Sequence, residues 1–483
     1  MEIAHQEALN VANFLVIDDI IYEVMTFLHS EFIIRNCLMV SRQWYGVVRR
    51  VSLELNIKNS DQLNLLIDGY DDGLNPRMGR LNILPQVNRF IYEYYSKLGK
   101  DLVRKITNSM KNLRELVLVG VELEIDDVKC LVNSQLTSLD VCDNSIGDEG
   151  VTLIANSLKQ LTKLGIGQVG VGDEGVRQLE KLTQLTELDA SCNDFTISVL
   201  VQVIDNSLKQ LKTLSVYSCN IEDEHMKDIT TLSQLTSLSV GINRITGNSL
   251  KLIGYSMKDL TYLEVANNEI GDAGTEYLCN LKKLKELSIS SNKISQLGFE
   301  HIKSMDQLRI LQCNNTNIMN QVSTMSHLET LVVISDCKIN IEIFESMSKN
   351  MKSLTKLNLY KNAINDMDFV RFIASIQHLR ELHLESCSIN DNSVEIISSI
   401  QNLRGLFVPS NDITDGGVKH LTKLTSLREL DIYCNPIGLE GVKIISSGLK
   451  GLTSLTISKK DIGERGQYLI RLMNLDTLTY VDK

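Results

Sequence analysis

Beginning at Leu113, one pattern keeps returning along the chain: L-x-x-L-x-L-x-x-N-x-I. It reads Leu136-Thr137-Ser138-Leu139-Asp140-Val141-Cys142-Asp143-Asn144-Ser145-Ile146 in one copy and Leu260 through Leu263, Val265, Asn268 and Ile270 in another. Further copies begin at Leu161, Leu185, Leu211, Leu235, Leu284, Leu308, Leu328, Leu354, Leu379, Leu403, Leu427 and Leu452, and a partial copy at Leu475. Their starts are mostly 24 or 25 residues apart. Alternation at Leu139 and Val141 predicts a short strand with one face buried. Val151, Ile154, Ala155 and Leu158 then follow at helical spacing, so each unit is a strand and then a helix. Between them Gly147-Asp148-Glu149-Gly150 supplies a turn, with Asp148 expected as the helix N-cap. Near-copies of this turn stand at Gly172 to Gly175, Gly271 to Gly274 and Gly438 to Gly441.

Period and pattern match the leucine-rich repeat, and they predict an α/β solenoid of right-handed strand–helix units, strands inside a curved arc and helices outside. One unit cannot bury its own apolar face, so neighbours must supply the missing contacts. The asparagine slot holds Asn144, Asn193, Asn243, Asn268, Asn292, Asn362, Asn411 and Asn435. An amide donates and accepts at once, so it can satisfy backbone groups that the strand no longer pairs. Cys219 and Cys387 fill the same slot as weak thiol donors, a structural role rather than that of nucleophile or ligand. The slot departs from pattern at Val169, Thr316, Lys460 and around Asp336-Cys337, and the Leu308 to Leu328 interval is short. Irregular curvature is expected there.

Residues 1–50 do not follow the repeat. Ile20, Ile21, Val24 and Leu28 share one helical face, and Ile33, Ile34, Cys37, Leu38 and Val40 form a second apolar group. On pattern alone this is a small helical cluster that caps the stack or docks on a partner helix. The segment resembles an F-box: Asp18-Asp19, the Ile20–Leu28 helix and Val40-Ser41-Arg42-Gln43-Trp44 match in order and spacing, with Ile17 where the family usually has Pro and Ser41 for a common Cys. The G-D-E-G units are similar to GALA-type and ribonuclease-inhibitor-like repeats of such proteins. The resemblance implies the substrate-recognition subunit of a cullin–RING ubiquitin ligase, with a Skp-type adaptor gripped by Ile20, Ile21, Val24, Leu28, Val40 and Trp44. The other reading is a free-standing repeat scaffold, inhibitor or GTPase regulator. The expected domains are thus 1–50 F-box-like, 51–112 linker and atypical capping repeats, and 113–483 solenoid. Within the middle stretch Val51 to Leu55 alternates like a strand, and the aromatics from Phe90 to Tyr95 read as core.

A net charge of −11 with 23% charged residues argues against nucleic acid, which needs clustered Lys and Arg. No apolar run approaches the roughly 18 residues of a membrane span, and the start lacks a basic signal-peptide region. Ten cysteines without CxxC spacing fit reduced thiols in cytoplasm or nucleus. No P-loop, GxSxG or HExxH appears, and the eight histidines are dispersed. The chain is read as no enzyme, with no cofactor and no metal.

Side chains between the inward leucines face the inner surface. In the first half they are small and polar: Asp140, Asp189, Ser215 and Ser239. Later they become Lys356, Tyr360, Lys361, His383, Glu385, Phe407, Asp431 and Tyr433, and aromatics beside charges are the usual composition of binding hot spots. An ordinary face with scattered aromatics would read similarly. Phe407 is the most telling, as an apolar ring at an exposed strand position with no folding reason. Alanine at Phe407 and Tyr433 is therefore expected to weaken capture of a protein substrate while leaving thermal stability nearly unchanged.

Overall fold

The computed structural model describes residues 53–57, 87–93, 102–314, 316–334, 341–362, 373, 376–471, 473, 475 and 477–481. The F-box-like segment lies outside the described residues, as does the irregular slot at Asp336-Cys337. The chain divides into two compact units, Met1–Cys219 and Asn220–Lys483.

In the first unit, strands Glu115–Val119, Ser138–Asp140, Lys163–Gly165, Glu187–Asp189 and Thr213–Ser215 lie side by side, all parallel. Their central leucines stand in register, Leu116 beside Leu139, Leu164, Leu188 and Leu214, and all are buried. Two more strands precede the first full copy of the pattern. Leu53–Ile57 pairs with Val87–Glu93, which pairs with Glu115–Val119, and Phe90 is wholly buried. In the second unit strands run from Ser237–Ser239 to Thr477–Val481, again parallel and in sequence order. The architecture is the leucine-rich-repeat solenoid that the pattern predicts.

Each strand hands over to a helix as expected. Helix Gly147–Ser157 buries Val151, Ile154 and Ala155. The short interval between Leu308 and Leu328 holds a 3₁₀ turn, Thr316–Ile318, and one helical turn, Met319–Val322. At Lys460 the asparagine turn is absent: strand Ser454–Ser458 runs directly into the helical segment Lys459–Arg471, which is kinked at Gly463 (φ 61°).

The asparagine slot is the junction between repeats. Asn144 Oδ1 accepts from the N–H groups of Val121 (3.1 Å) and Leu123 (2.9 Å) in the preceding repeat. Its Nδ2 donates to Leu118 O (2.8 Å) behind and to Val141 O and Cys142 O in its own turn. Asn193 and Asn411 repeat this pattern. Cys387 Sγ donates to Leu359 O at 2.9 Å in place of an amide, and burial pushes its thiol up to about 12. Near Thr316 the junction differs: Asn314, two positions earlier, makes exposed bonds to Ser291, accepting from its N–H at 2.5 Å and donating to its hydroxyl at 2.8 Å.

Two features are not visible in the pattern. The residue just before the slot is left-handed in copy after copy, with φ of 58° at Asp143, 56° at Cys192, 47° at Ile242 and 52° at Cys434. This backbone costs roughly 1–2 kcal/mol for a non-glycine residue, and the amide network holds it in place. The second concerns Asp148, which does not cap its own helix. Ile146 holds the N-cap position there. The Asp148 carboxylate reaches the next repeat instead, accepting from Gly172 N (2.7 Å) and Gly175 N (3.0 Å) at the start of the following helix. Asp173 does the same for Thr196, Asp391 for Thr414 and Asp415 for Gly438. The physical reason is stacking: helix starts lie one above another, so a first-turn carboxylate meets the exposed N–H groups of its neighbour.

Removing one amide strands several buried groups at about 1–3 kcal/mol each. Asn411→Ala is expected to lower unfolding stability by about 3 kcal/mol or more, measured by urea denaturation. A loss under about 1 kcal/mol would show that the slot is not a junction.

Candidate binding face

Register on the second unit's sheet brings the sequence-nominated residues onto one face. Asn358 pairs with His383, His383 with Phe407, and Phe407 with Asp431. One step along each strand, Lys356 pairs with Glu381 and Glu381 with Gly405. Beyond the strand ends Lys361 N bonds Glu385 O (3.0 Å) and Ser410 N bonds Tyr433 O (2.8 Å), so Tyr360, Glu385 and Tyr433 stand along a further row of the same face.

Phe407 has a folding reason after all. Its ring stacks on the His383 imidazole with centroids 4.1 Å apart and planes 5° from parallel. It also roofs Gly405, where an added Cβ would come 2.8 Å from Cε2 of the ring. A small residue on one strand lets the neighbouring ring lie flat, and the ring is half-buried. Alanine there removes stacking as well as any partner contact, so Tyr433 is the cleaner probe of binding. Lys361 Nζ sits 4.9 Å from the Tyr360 ring centroid, a cation–π pair on the exposed rim.

Charges on this face are coupled. Lys356 Nζ is 2.6 Å from Glu381 Oε2, and His383 Nε2 lies 3.6 Å from the same oxygen, too far for a hydrogen bond. Burial alone would raise the Glu381 carboxyl, but the Lys356 hydrogen bond and charge, with His383 beyond, hold it below the usual range. Burial, aided by the Lys356 charge and opposed by Glu381, pushes the His383 imidazole below its ordinary value.

The first unit's face is different. Asp140 Oδ1 accepts from Cys142 N (3.0 Å), Asp189 Oδ1 from Ser191 N (3.0 Å), and the Ser191 and Ser215 hydroxyls bond each other at 2.7 Å. These polar side chains are occupied with their own backbone and each other; on the second unit's face Asn358 and Asp431 make the same bond, to Tyr360 N (3.0 Å) and Tyr433 N (3.1 Å). In the second unit Ser239 is likewise tied to Glu264 at 2.5 Å. A feature that the sequence reading missed is a cavity of about 890 Å³ beside the starts of strands Tyr262–Glu264, Glu286–Ser288 and Ile310–Cys313, with Lys282, Lys283, Lys285 and Arg309 in its lining. The only signal for it was a basic cluster around the repeat's opening leucine at 284, at positions outside the pattern.

Among the described residues, no helix is long and apolar enough to cross a membrane. No group of three or more His, Cys, Asp or Glu among them could hold a metal ion. The described cysteines are free thiols.

Comparison with known families places leucine-rich repeats in both units. A family model described as a leucine-rich repeat region matches residues 262–481, and one described as a leucine rich repeat matches residues 132–155. The chain carries leucine-rich repeats. No curated protein matches it. Among solved structures it is similar to the internalin InlF of Listeria monocytogenes at 22% identity, over 73% of this chain and 88% of that one, with a TM-score of 0.35. A leucine-rich-repeat protein of Leptospira interrogans is similar at 17% identity over 83% of this chain and 100% of its own, with a TM-score of 0.37. The plant peptide hormone receptor RGFR1 in complex with RGF2 is similar at 17% identity over 83% and 64%, with a TM-score of 0.31.

The folded state holds His383 neutral where the unfolded chain would protonate it, so this residue subtracts stability as the pH falls below about 6.5 and is without effect well above it. His383→Gln is expected to flatten the loss of urea stability between about pH 6.5 and pH 5. The Glu381 contribution is lost only at lower pH, as the pH falls through its depressed folded value. An unchanged slope in the variant would place the imidazole in water.

Proposed function

We propose that the chain captures a protein partner on the strand face of its Asn220–Lys483 unit and acts inside the cell as the substrate-recognition subunit of a cullin–RING ubiquitin ligase. The observation that carries the binding reading is the partly exposed rim of that face. Tyr360 with Lys361 on one side and Asp431 with Tyr433 on the other flank the His383–Phe407 stack. Aromatic anchors beside charges, on a sheet rigidified by its own ladder, are what a protein interface uses for affinity and orientation. The other unit's face carries Tyr217 in the corresponding row, but its strand positions are small polar side chains that bond their own backbone and each other.

The ligase reading is supported by the order of the sequence: Asp18-Asp19, the apolar Ile20–Leu28 stretch and Val40 to Trp44, directly ahead of repeats. In it, the leading helices hold a Skp-type adaptor through Ile20, Ile21, Val24, Leu28, Val40 and Trp44, while the repeats hold the substrate.

Mixing the full chain with a Skp-type adaptor is expected to give a stable complex on size exclusion that Leu28→Ala with Trp44→Ala abolishes. Failure of the wild-type chain to bind the adaptor would remove the ligase role and leave a free-standing repeat scaffold. Tyr433→Ala with Lys361→Glu is expected to lose the proteins that the wild-type chain retains from cell extract, at an unchanged melting temperature. Retention of the same proteins would overturn the choice of face.

A further inference from the structure

The residue just ahead of each strand forms a row of its own. In the second unit Arg309 N bonds Lys285 O at 2.8 Å, while Arg404 N bonds Arg380 O and Arg428 N bonds Arg404 O, each at 2.7 Å. Parallel-strand spacing therefore sets neighbours in this row about 4.8 Å apart. Arg380, Arg404 and Arg428 occupy three successive steps, all with exposed side chains.

The fold does not ask for arginine here. In the first unit Thr137, Thr162 and Thr186 hold the same position, between Arg114 and Lys212 in the row, and hydroxyls bond back along it, Thr162 Oγ1 to Thr137 O at 3.0 Å and Thr186 Oγ1 to Thr162 O at 3.0 Å. Thr261, Thr355 and Thr453 do likewise in the second unit. Threonine thus meets the structural need of the position, and the arginines add exposed charge that the sheet does not use. Arg428 Nη1 folds back on Leu427 O at 2.9 Å, but Arg380 and Arg404 make no ion pair or side-chain hydrogen bond among the described residues.

The same row reaches the cavity of about 890 Å³, where Lys285 and Arg309 are joined by Lys282 and Lys283, with Glu286 and Glu329 also in the lining. Two of these cations are engaged, Lys283 with Asp259 at 2.6 Å and Arg309 with Glu329 at 3.6 Å. Lys282 and Lys285 have no carboxylate partner among the described residues. Such concentration of cations is not a by-product of composition, because the chain as a whole carries −11.

We propose that this leading edge of the Asn220–Lys483 unit, from the cavity at Lys285 and Arg309 to the row Arg380, Arg404 and Arg428, is a docking track for an extended acidic peptide segment of a partner protein. Six steps separate Lys285 from Arg428, about 29 Å at strand spacing, which an extended chain covers in about nine residues. A guanidinium fork pairs a carboxylate through two parallel hydrogen bonds, so free arginines in a row favour Asp and Glu side chains. Carboxylates also interrupt the track: Glu329 sits within the row, and Glu381 and Glu429 follow Arg380 and Arg428. A continuous phosphodiester backbone would meet repulsion at each of these, whereas a peptide can set neutral residues opposite them.

The test uses the full chain and a fluorescein-labelled peptide of about ten residues alternating Glu and Ser, followed by anisotropy at low and high salt. Binding is expected, weakening as salt rises. Arg380→Thr with Arg404→Thr, a change the fold already accommodates at this position, is expected to weaken it about tenfold or more at an unchanged melting temperature. Lys209→Thr in the other unit is expected to leave it alone. No binding by the wild-type chain, or equal binding by the double variant, would overturn the proposal. So would tighter binding of a labelled single-stranded oligonucleotide of equal length. No residue of the track belongs to the strand-face patch, so its failure leaves the proposed function standing.

Discussion

The structure depends on one demand: where a short parallel strand ends, its backbone N–H and C=O groups are buried and no longer paired. A buried polar group without a partner costs more than most single contacts return. An asparagine at the end of most strands answers that demand for two repeats at once. Its carbonyl oxygen takes N–H groups of the preceding turn, and its amide feeds carbonyls on both sides, as Asn144, Asn193 and Asn411 each show. Strand register, the left-handed residue before the slot and the position of the next helix follow from that bonding. The first-turn aspartates repeat the device on the helical side, with one repeat's carboxylate capping the next repeat's helix.

Because bonding of this kind fixes the backbone, side chains between the buried leucines are left to vary without unfolding the stack. The two units use that freedom differently. One spends its face on small hydroxyls and carboxylates that bond each other. The other places a stacked His383–Phe407 pair among tyrosines and a Lys356–Glu381 ion pair. At the leading edge both units mix threonine with basic residues, and the second sets three arginines at successive steps, Arg380, Arg404 and Arg428. Differences of this sort, laid over an unchanging frame, are where recognition by a repeat protein resides.

The leucine and asparagine positions were legible in the sequence because burial and hydrogen-bond satisfaction restrict them to a few residue types. What escaped were features created by stacking. Asp148 has the right residue type and spacing to cap its own helix, and only the neighbour one layer on shows that it caps another. Phe407 looked purposeless because its partner His383 lies a full repeat away in sequence, and the roof over Gly405 needs the strand register to be seen. The left-handed residues escaped for a different reason. Ile242 and Asp143 carry no glycine signature, since the amide bonds around them and not local propensity fix their backbone. The arginine row lay in plain view as Leu379-Arg380, Leu403-Arg404 and Leu427-Arg428, but a template keyed to leucines passes over the residue beside them.

Native-state hydrogen exchange tests the central claim most directly. The amides of Cys387 and Ile389 lie beyond their strand, and each donates to Asn411 Oδ1. In the wild-type chain they are expected to exchange as slowly as Leu382 in the middle of that strand. Exchange at the rate of open loop amides would mean that the asparagines decorate the turns without holding the repeats together.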